Sequence, residues 1–477
     1  MAEIHEKTGA KSSAIIDRLS RGEFRKAWDG IIGMARKALV RREGLDPSNE
    51  KRDYLYGLIH DCIYARGGDV SARARTVELG TLYLHLSKEG RETFHDILSH
   101  DFDIDRQVLQ EKIKKLEEAK SQKEAIDAEI GLKKALSPPR IILLKQFSSL
   151  PNGLKLLIDM RANLLSKVKE DQRLYKLSLD IKEILGAWFD IGLLDLQEIT
   201  WNSPAALLEK LIEYEAVHEI RSWNDLRSRL DSDRLCFAFF HNKMLSEPLI
   251  FVEVALVNKL STNIQDLLNK EDEKIDPHQA STAIFYSISN TQPGLAGISL
   301  GNFLIKTVVQ KLSAEFKELK HFATLSPVPG FRKWLAPKLA NGDESVLRPK
   351  EIETLKGYFA AVNGALILDE ILTDDWCKNN EITEIVKPIL QRLCAQYLLE
   401  ERQGSRALDP VANFHLSNGA RLEQINWLAD LSEKGMTRSY GIMVNYYYKI
   451  SDIEKNHEEY VTKTHIAANR GVNNLLK

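Results

Sequence analysis

The hydrophobic period of the chain changes near residue 190, and that change constrains the fold more than any bulk property. Before it, apolar residues recur three and four apart in FRKAWDGIIGMARKALV (24–40), RDYLYGLIHDCIYAR (52–66) and RETFHDILSHDF (91–102). That is the spacing of one helix face. RQVLQEKIKKLEEAKSQKEAIDAEIGLKKAL (106–136) is dense in Lys and Glu around sparse apolar positions, as in an exposed helical hairpin or a short coiled-coil-like arm. Ser137-Pro138-Pro139 breaks it, and Pro151-Asn152-Gly153 breaks the next segment. No strand-like alternation of any length interrupts the pattern, so residues 1–190 read as an all-helical bundle domain.

Beyond residue 190 the runs become short and β-rich. LCFAFFH (235–241) and PLIFVEVALV (248–257) flank NKMLSE and predict a hairpin, and AIFYSIS (283–289) predicts another buried strand. A Gly-rich turn follows, then the amphipathic helix LGNFLIKTVVQKLSAEFKEL, with Leu300, Phe303, Leu304, Val308, Leu312 and Phe316 on its apolar face. His321–Ser326 and GIMVNYYYKI (441–450) read as further strands, and residues 338–410 read as largely helical. Strands, a central helix and strands again predict an α/β or α+β domain around a central sheet over 191–477.

The chain has 477 residues, enough for two or three domains. Lys plus Arg is 66 and Asp plus Glu is 68, a balance that gives no support to a nucleic-acid or membrane-surface partner. The longest apolar runs are too short to span a bilayer. The start, MAEIHEKTGAKSS, lacks the apolar core of a signal peptide and carries early glutamates, against a transit peptide. The end, NLLK, is not a peroxisomal tripeptide. Cys62, Cys236, Cys377 and Cys394 have no metal-binding spacing. These features predict a cytoplasmic protein with reduced thiols.

SNTQPGLAGISLGNFLIK (289–306) joins a strand to a helix, and Gly294, Gly297 and Gly301 punctuate it. Glycines let a backbone approach a ligand closely, and free amides at a helix start attract an anion. The spacing is neither a P-loop nor a dinucleotide fingerprint, and a plain helix start with turn residues is the alternative. The order strand, Gly-rich turn, helix, strand resembles the pyrophosphate site for coenzyme A in GNAT-type acyltransferases. On that resemblance the backbone of Ala296, Gly297, Ile298, Ser299, Leu300, Gly301 and Asn302 forms the phosphate cradle.

Four blocks make the likeness more specific: AIFYSISNTQPGLAGISLGNFLIK (283–306), ATLSPVPGFRKWL (323–335), PVANFHLSNGARLEQINWLADLSEKG (410–435) and GIMVNYYY (441–448). Together they resemble the malonyl-CoA decarboxylase family, with looser matches at 215–230 and 251–268. The resemblance implies an α+β protein, with an all-helical N-terminal bundle followed by a GNAT-like α/β catalytic domain that has a central mixed sheet. It implies conversion of malonyl-CoA to acetyl-CoA and CO2 without metal, biotin or another organic cofactor. It also implies a homo-oligomer, expected as a homotetramer. By motif, Ser326 matches the catalytic serine, His415 the catalytic histidine and Tyr448 an active-site tyrosine. The chain departs from the family at Ser299, where members with Gly-hydrophobic-Glu-Leu-Gly carry a glutamate. The expected proton chemistry thereby shifts toward His415 and Tyr448.

Losing CO2 from a malonyl thioester leaves an enolate, so the chemistry calls for donors at the thioester oxygen and an acid for the carbanion. Serine and histidine meet those needs. Outside the family motifs each has a plainer reading: Ser326 as a turn serine in a proline-stiffened loop, His415 as a core histidine in a strand-like FHL, and the Tyr446–Tyr448 run as strand packing. His60, His95, His100 and His218 lie on helical patterns and read as structural. Two other functions remain open at this point. One is a CoA-dependent acyltransferase of the same fold. The other is a non-catalytic CoA-binding scaffold that uses the arm at 106–136.

Overall fold

The computed structural model describes residues 49–64, 69–269, 275–298, 300–358, 363–373 and 375–477. The helix expected at 24–40 lies outside them, as do Ser299 and the side chains of Asn302 and Phe303. Two compact units divide the chain. One runs through Leu193 and includes Gln292–Ile298; the other comprises Leu194–Thr291 and Ser299–Lys477.

The first unit is helical: α1 (Asn49–Ile63), α2 (Asp69–His85), α3 (Lys88–His100), α4 (Arg106–Glu117), α5 (Gln122–Ala135), α6 (Arg140–Ser148), α7 (Gly153–Leu165) and α8 (Gln172–Trp188). Ser87, Asp105, Ser121 and Asp171 each accept a backbone N–H at a helix start, and such a cap stabilises by about 1 kcal/mol. Helix α7 forms part of the core through Leu154, Leu157, Ile158, Met160 and Leu164, with Leu143, Leu144 and Phe147 of α6 also buried. In contrast, α4 buries only Leu109 and α5 buries nothing, so the Lys/Glu-rich pair is the exposed hairpin predicted from its charge pattern. Arg140, almost wholly buried, is neutralised by Asp103 at 3.0 Å and Asp180 at 2.6 Å. His95 is a structural residue: burial pushes its imidazole down to about 4, and its Nε2 pairs with the Tyr83 hydroxyl at 2.8 Å.

The second unit is built on an eight-stranded mixed sheet. Its strands are β1 (Leu194–Ile199), β2 (Arg234–His241), β3 (Ile250–Val257), β4 (Thr282–Asn290), β5 (His321–Thr324), β6 (Ser326–Pro327), β7 (Arg421–Asn426) and β8 (Met443–Tyr447). The order is β1-β2-β3-β4-β5-β8-β6, with β7 on β8. Strands β1 to β4 form an antiparallel meander. Strands β4 and β5 are parallel, so the chain needs a crossover between them, supplied by α9 (Gly301–Glu315). Leu300, Leu304, Val308, Leu312 and Phe316 are buried along that helix, as its period predicts. Every residue of β3 from Ile250 to Leu256 is buried, because this central strand is covered on both faces. The result is a mixed sheet with one parallel crossover.

Some elements differ from expectation. Strands β1 and β7 carry no strong apolar run. LDLQEI is a largely exposed edge strand, and RLEQIN is held by its pairing with β8. His218 is buried in a loop after the helix Ala205–Tyr214 rather than on a helix. All four cysteines are free, and Cys62, Cys236 and Cys394 are buried. Among the described residues no helix is long and apolar enough to cross a membrane.

Candidate active site

Strands β5 and β6 behave as one strand interrupted at Leu325, whose N–H turns to the carbonyl of Phe285 at 3.0 Å. The strand resumes at Ser326 and Pro327, which lie opposite Val444 and Met443 of β8. Ser326 is therefore a buried strand residue at a sheet edge, where a following proline is tolerated. This fits the strand expected over His321–Ser326 and corrects the plainer reading of Ser326 as a turn serine in a proline-stiffened loop. The parallel pairing of β4 with β5 ends at Phe285 and Thr324. Strand β4 continues to Asn290, so the two strands part where Ser326 begins.

His415 lies not on a strand but on the short helix α11 (Pro410–Ser417), which follows α10 (Asn380–Leu399). The strand-like reading of FHL fails because Asp409 and Pro410 start a helix: the carboxylate caps it and proline fits its first turn. Asp409 Oδ1 accepts N–H bonds from Val411 and Ala412, each at 2.9 Å. Its Oδ2 accepts from Gly330 N–H at 3.2 Å and from the Tyr397 hydroxyl at 3.4 Å. One carboxylate thus joins the histidine helix to the segment after Ser326. Gly330 admits no side chain, since a Cβ there would lie 2.0 Å from the Tyr397 hydroxyl oxygen. Asp409 was missed in the sequence, although Asp-Pro before an apolar run is a cap signal.

Strand alternation sorts the three tyrosines. Tyr447 turns one way, to His321 Nδ1 at 2.7 Å. Tyr446 and Tyr448 turn the other way, to His415. The Tyr446 ring stacks on the imidazole with centroids 4.5 Å apart, and the Tyr448 hydroxyl pairs with Nδ1 at 2.8 Å. On the far side of the ring, Nε2 pairs with Ser326 Oγ at 3.1 Å, and the serine hydroxyl donates to Thr324 Oγ1 at 2.8 Å. Thr324 is fixed in turn by Asn445, whose side-chain amide donates to the Thr324 carbonyl at 2.8 Å and accepts from Asn426 at 2.7 Å. Asn445 lies inside an apolar-looking strand and gave no signal in the sequence.

Burial alone pushes the His415 imidazole down to about 3 and the Tyr448 phenol well above its ordinary value. The ring is therefore neutral at physiological pH and carries one N–H. Because Ser326 donates to Thr324, that proton sits on Nε2 and points at Ser326, and Nδ1 accepts from Tyr448. The hydrogen bonds run in one direction, from Tyr448 through His415 and Ser326 to Thr324. Two predictions arise. Tyr448→Phe removes the bond that fixes this tautomer and lowers kcat by at least about tenfold, a loss of roughly 1.4 kcal/mol. Tyr446→Phe leaves kcat within about twofold, since the ring contact stays and the hydroxyl has no partner among the described residues. Steady-state kinetics on the two variants checks the contrast.

A further prediction concerns pH. The folded ring refuses a proton that the unfolded ring takes below 6.5. Acidification from there toward 3 therefore favours unfolding, by about 1.4 kcal/mol per pH unit for this one group. In the folded protein kcat shows no His415 ionisation between about pH 6 and 8. A pH–kcat profile with a limb near 6.5, recorded where circular dichroism shows intact folding, contradicts it.

The glycine-rich segment is a tight turn. Pro293–Leu295 forms one 3-10 turn, and Gly297 has a φ of +78°, a conformation suited to glycine. The amides of Ala296 and Ile298 already donate to Pro293 and Leu295 carbonyls at 3.1 and 2.9 Å. Leu300 is the residue before α9, Gly301 opens the helix and Asn302 follows in its first turn.

Comparison with known proteins agrees with this architecture. Residues 102–189 match the family model described as the malonyl-CoA decarboxylase N-terminal domain, and residues 192–477 match that of the C-terminal domain. The mitochondrial malonyl-CoA decarboxylase of Mus musculus is 36% identical over 398 residues, covering 80% of each chain. A crystal structure of malonyl-CoA decarboxylase from Rhodopseudomonas palustris is 39% identical with a TM-score of 0.80, covering 89% of this chain and 99% of that one. The structure from Agrobacterium vitis gives the same identity, coverage and TM-score. With both halves matched and these relatives spanning most of its length, the chain belongs to the malonyl-CoA decarboxylase family.

Proposed function

We infer that this protein decarboxylates malonyl-CoA at Ser326 and His415. The observation that carries the reading is the directed chain from Tyr448 through His415 to Ser326, closed off from solvent beside the opening between β4 and β5. The substrate arrives with its carboxylate already ionised, so the reaction needs no base to begin. The electron pair of the breaking carbon–carboxyl bond passes into the thioester carbonyl, CO2 departs, and a thioester enolate remains. Ser326 holds the malonyl carboxylate. His415 Nε2–H delivers the proton to the enolate carbon as the Tyr448 hydroxyl passes its own proton to Nδ1, so the ring stays neutral; acetyl-CoA leaves, and a proton from solvent restores the tyrosine. Tyr448 holds the ring in the tautomer that carries that proton. The reaction written this way uses no metal, biotin or other organic cofactor.

The phosphates of coenzyme A are bound by the turn Ala296–Asn302. With the amides of Ala296 and Ile298 already occupied, binding within the turn falls to Gly297 N–H. The functional protein is a cytoplasmic homotetramer in this reading. An acyltransferase of the same fold has to deprotonate an ammonium acceptor, and a histidine pushed down to about 3 is a poor base for that task. Pure protein mixed with malonyl-CoA labelled at its free carboxylate carbon distinguishes the two. Release of labelled CO2 with no amine present supports decarboxylation, and strict dependence on an acceptor defeats it.

A further inference from the structure

We propose that Lys182 of α8 binds a phosphate of coenzyme A and that Arg161 of α7 positions the loop that receives it. The proposal rests on reading the glycine-rich turn as the phosphate site. Arg161 is 4% exposed, and its guanidinium reaches two carbonyls of that turn, Gly294 at 2.5 Å and Ala296 at 2.8 Å. In a planar trans peptide the N–H points opposite to the C=O. Drawing the Ala296 carbonyl to Arg161 therefore turns the Gly297 N–H away from the arginine. The neighbouring amides of Ala296 and Ile298 are occupied within the turn, and Gly297 N–H has no acceptor among the described residues, which leaves it for a ligand. Without Arg161, the Ala296–Gly297 peptide is free to flip and present a carbonyl, which repels an anion.

Lys182 supplies the charge. Its Nζ lies 3.1 Å, and its Cε 3.4 Å, from the point where a Cβ on Gly297 would be, so the ammonium covers the glycine. Lys182 is half-buried and forms no ion pair among the described residues. A lysine placed beside a free amide, with no carboxylate partner, has the chemistry of a phosphate contact. Every residue in this arrangement belongs to the helical unit with its attached turn. The helical unit thereby acquires a part in substrate binding.

The test compares malonyl-CoA with malonyl-pantetheine, which ends before the pyrophosphate. Lys182→Met lowers the ratio of kcat/KM for malonyl-CoA over malonyl-pantetheine by about tenfold, and Lys182→Arg restores most of it. Arg161→Lys, which cannot span both carbonyls, lowers the same ratio. The wild-type preference also weakens with added salt more steeply than that of Lys182→Met. An unchanged ratio in both the Lys182→Met and the Arg161→Lys variants, with activity lowered equally on the two substrates, marks a purely structural role and overturns the proposal. If wild type prefers malonyl-CoA strongly and Lys182→Met keeps that preference, the Lys182 assignment alone falls. If wild type shows no preference, the phosphate-loop reading falls and the proposal with it.

Discussion

His415→Ala lowers kcat for malonyl-CoA decarboxylation by about 10²–10⁴-fold, the usual contribution of a positioned general acid. The ring is buried and neutral, holds one N–H on Nε2, and meets Ser326 Oγ at 3.1 Å. The same substitution opens a cavity beside Tyr446, so His415→Gln is the companion variant that keeps more of the volume. Both should fall together in kcat while circular dichroism stays that of wild type. Ser326→Ala costs on the order of 10²-fold, as for a lost contact that orients the reacting carboxylate. The double variant should be little worse than His415→Ala alone, because two members of one chain act as a unit. Near-wild-type turnover in either single variant removes that residue from the mechanism.

Asp409→Ala destabilises the sheet unit by roughly 2–4 kcal/mol: about 1 kcal/mol for the lost cap of α11 and about 1–3 for the buried donors it leaves without an acceptor. Asp409 is fully buried, and burial alone raises its carboxyl. Four donors oppose that rise: the N–H groups of Gly330, Val411 and Ala412 and the Tyr397 hydroxyl. Removing the carboxylate unties the His415 helix from the segment that follows Ser326, so activity drops with stability. Urea unfolding should show a lower midpoint with an unchanged m-value. A shift below about 0.5 kcal/mol means that Asp409 does not tie the two elements together.

Much of the fold was legible because period is a local property. The amphipathic face of α9, the exposed arm of α4 and α5, and the buried runs of β2, β3 and β4 all follow from residue spacing. Edge and paired strands with mixed polarity, β1 and β7, were not legible, since partners far along the chain hold them. Ser326, His415 and Tyr448 were named from family motifs, and the structure brings them within hydrogen-bond reach of one another. Their supports are less legible in the sequence, for different reasons. Asp409 carries a readable cap signal, Asp-Pro before an apolar run, which outweighs the strand-like composition of FHL. Thr324 and Asn445 are ordinary residues in apolar strands until β5 and β8 come together. The turn at Gln292–Ile298 follows β4 in sequence yet packs with α7, a tertiary contact that no local pattern encodes.

The most direct test is a crystal structure with a malonyl-CoA analogue whose carboxylate is replaced by a sulfonate, which cannot lose CO2. The account predicts the acyl group between Ser326 Oγ and His415 Nε2, with the sulfonate on the serine and the carbon α to the thioester facing the imidazole N–H. An acyl group seated beyond hydrogen-bond reach of both side chains contradicts it.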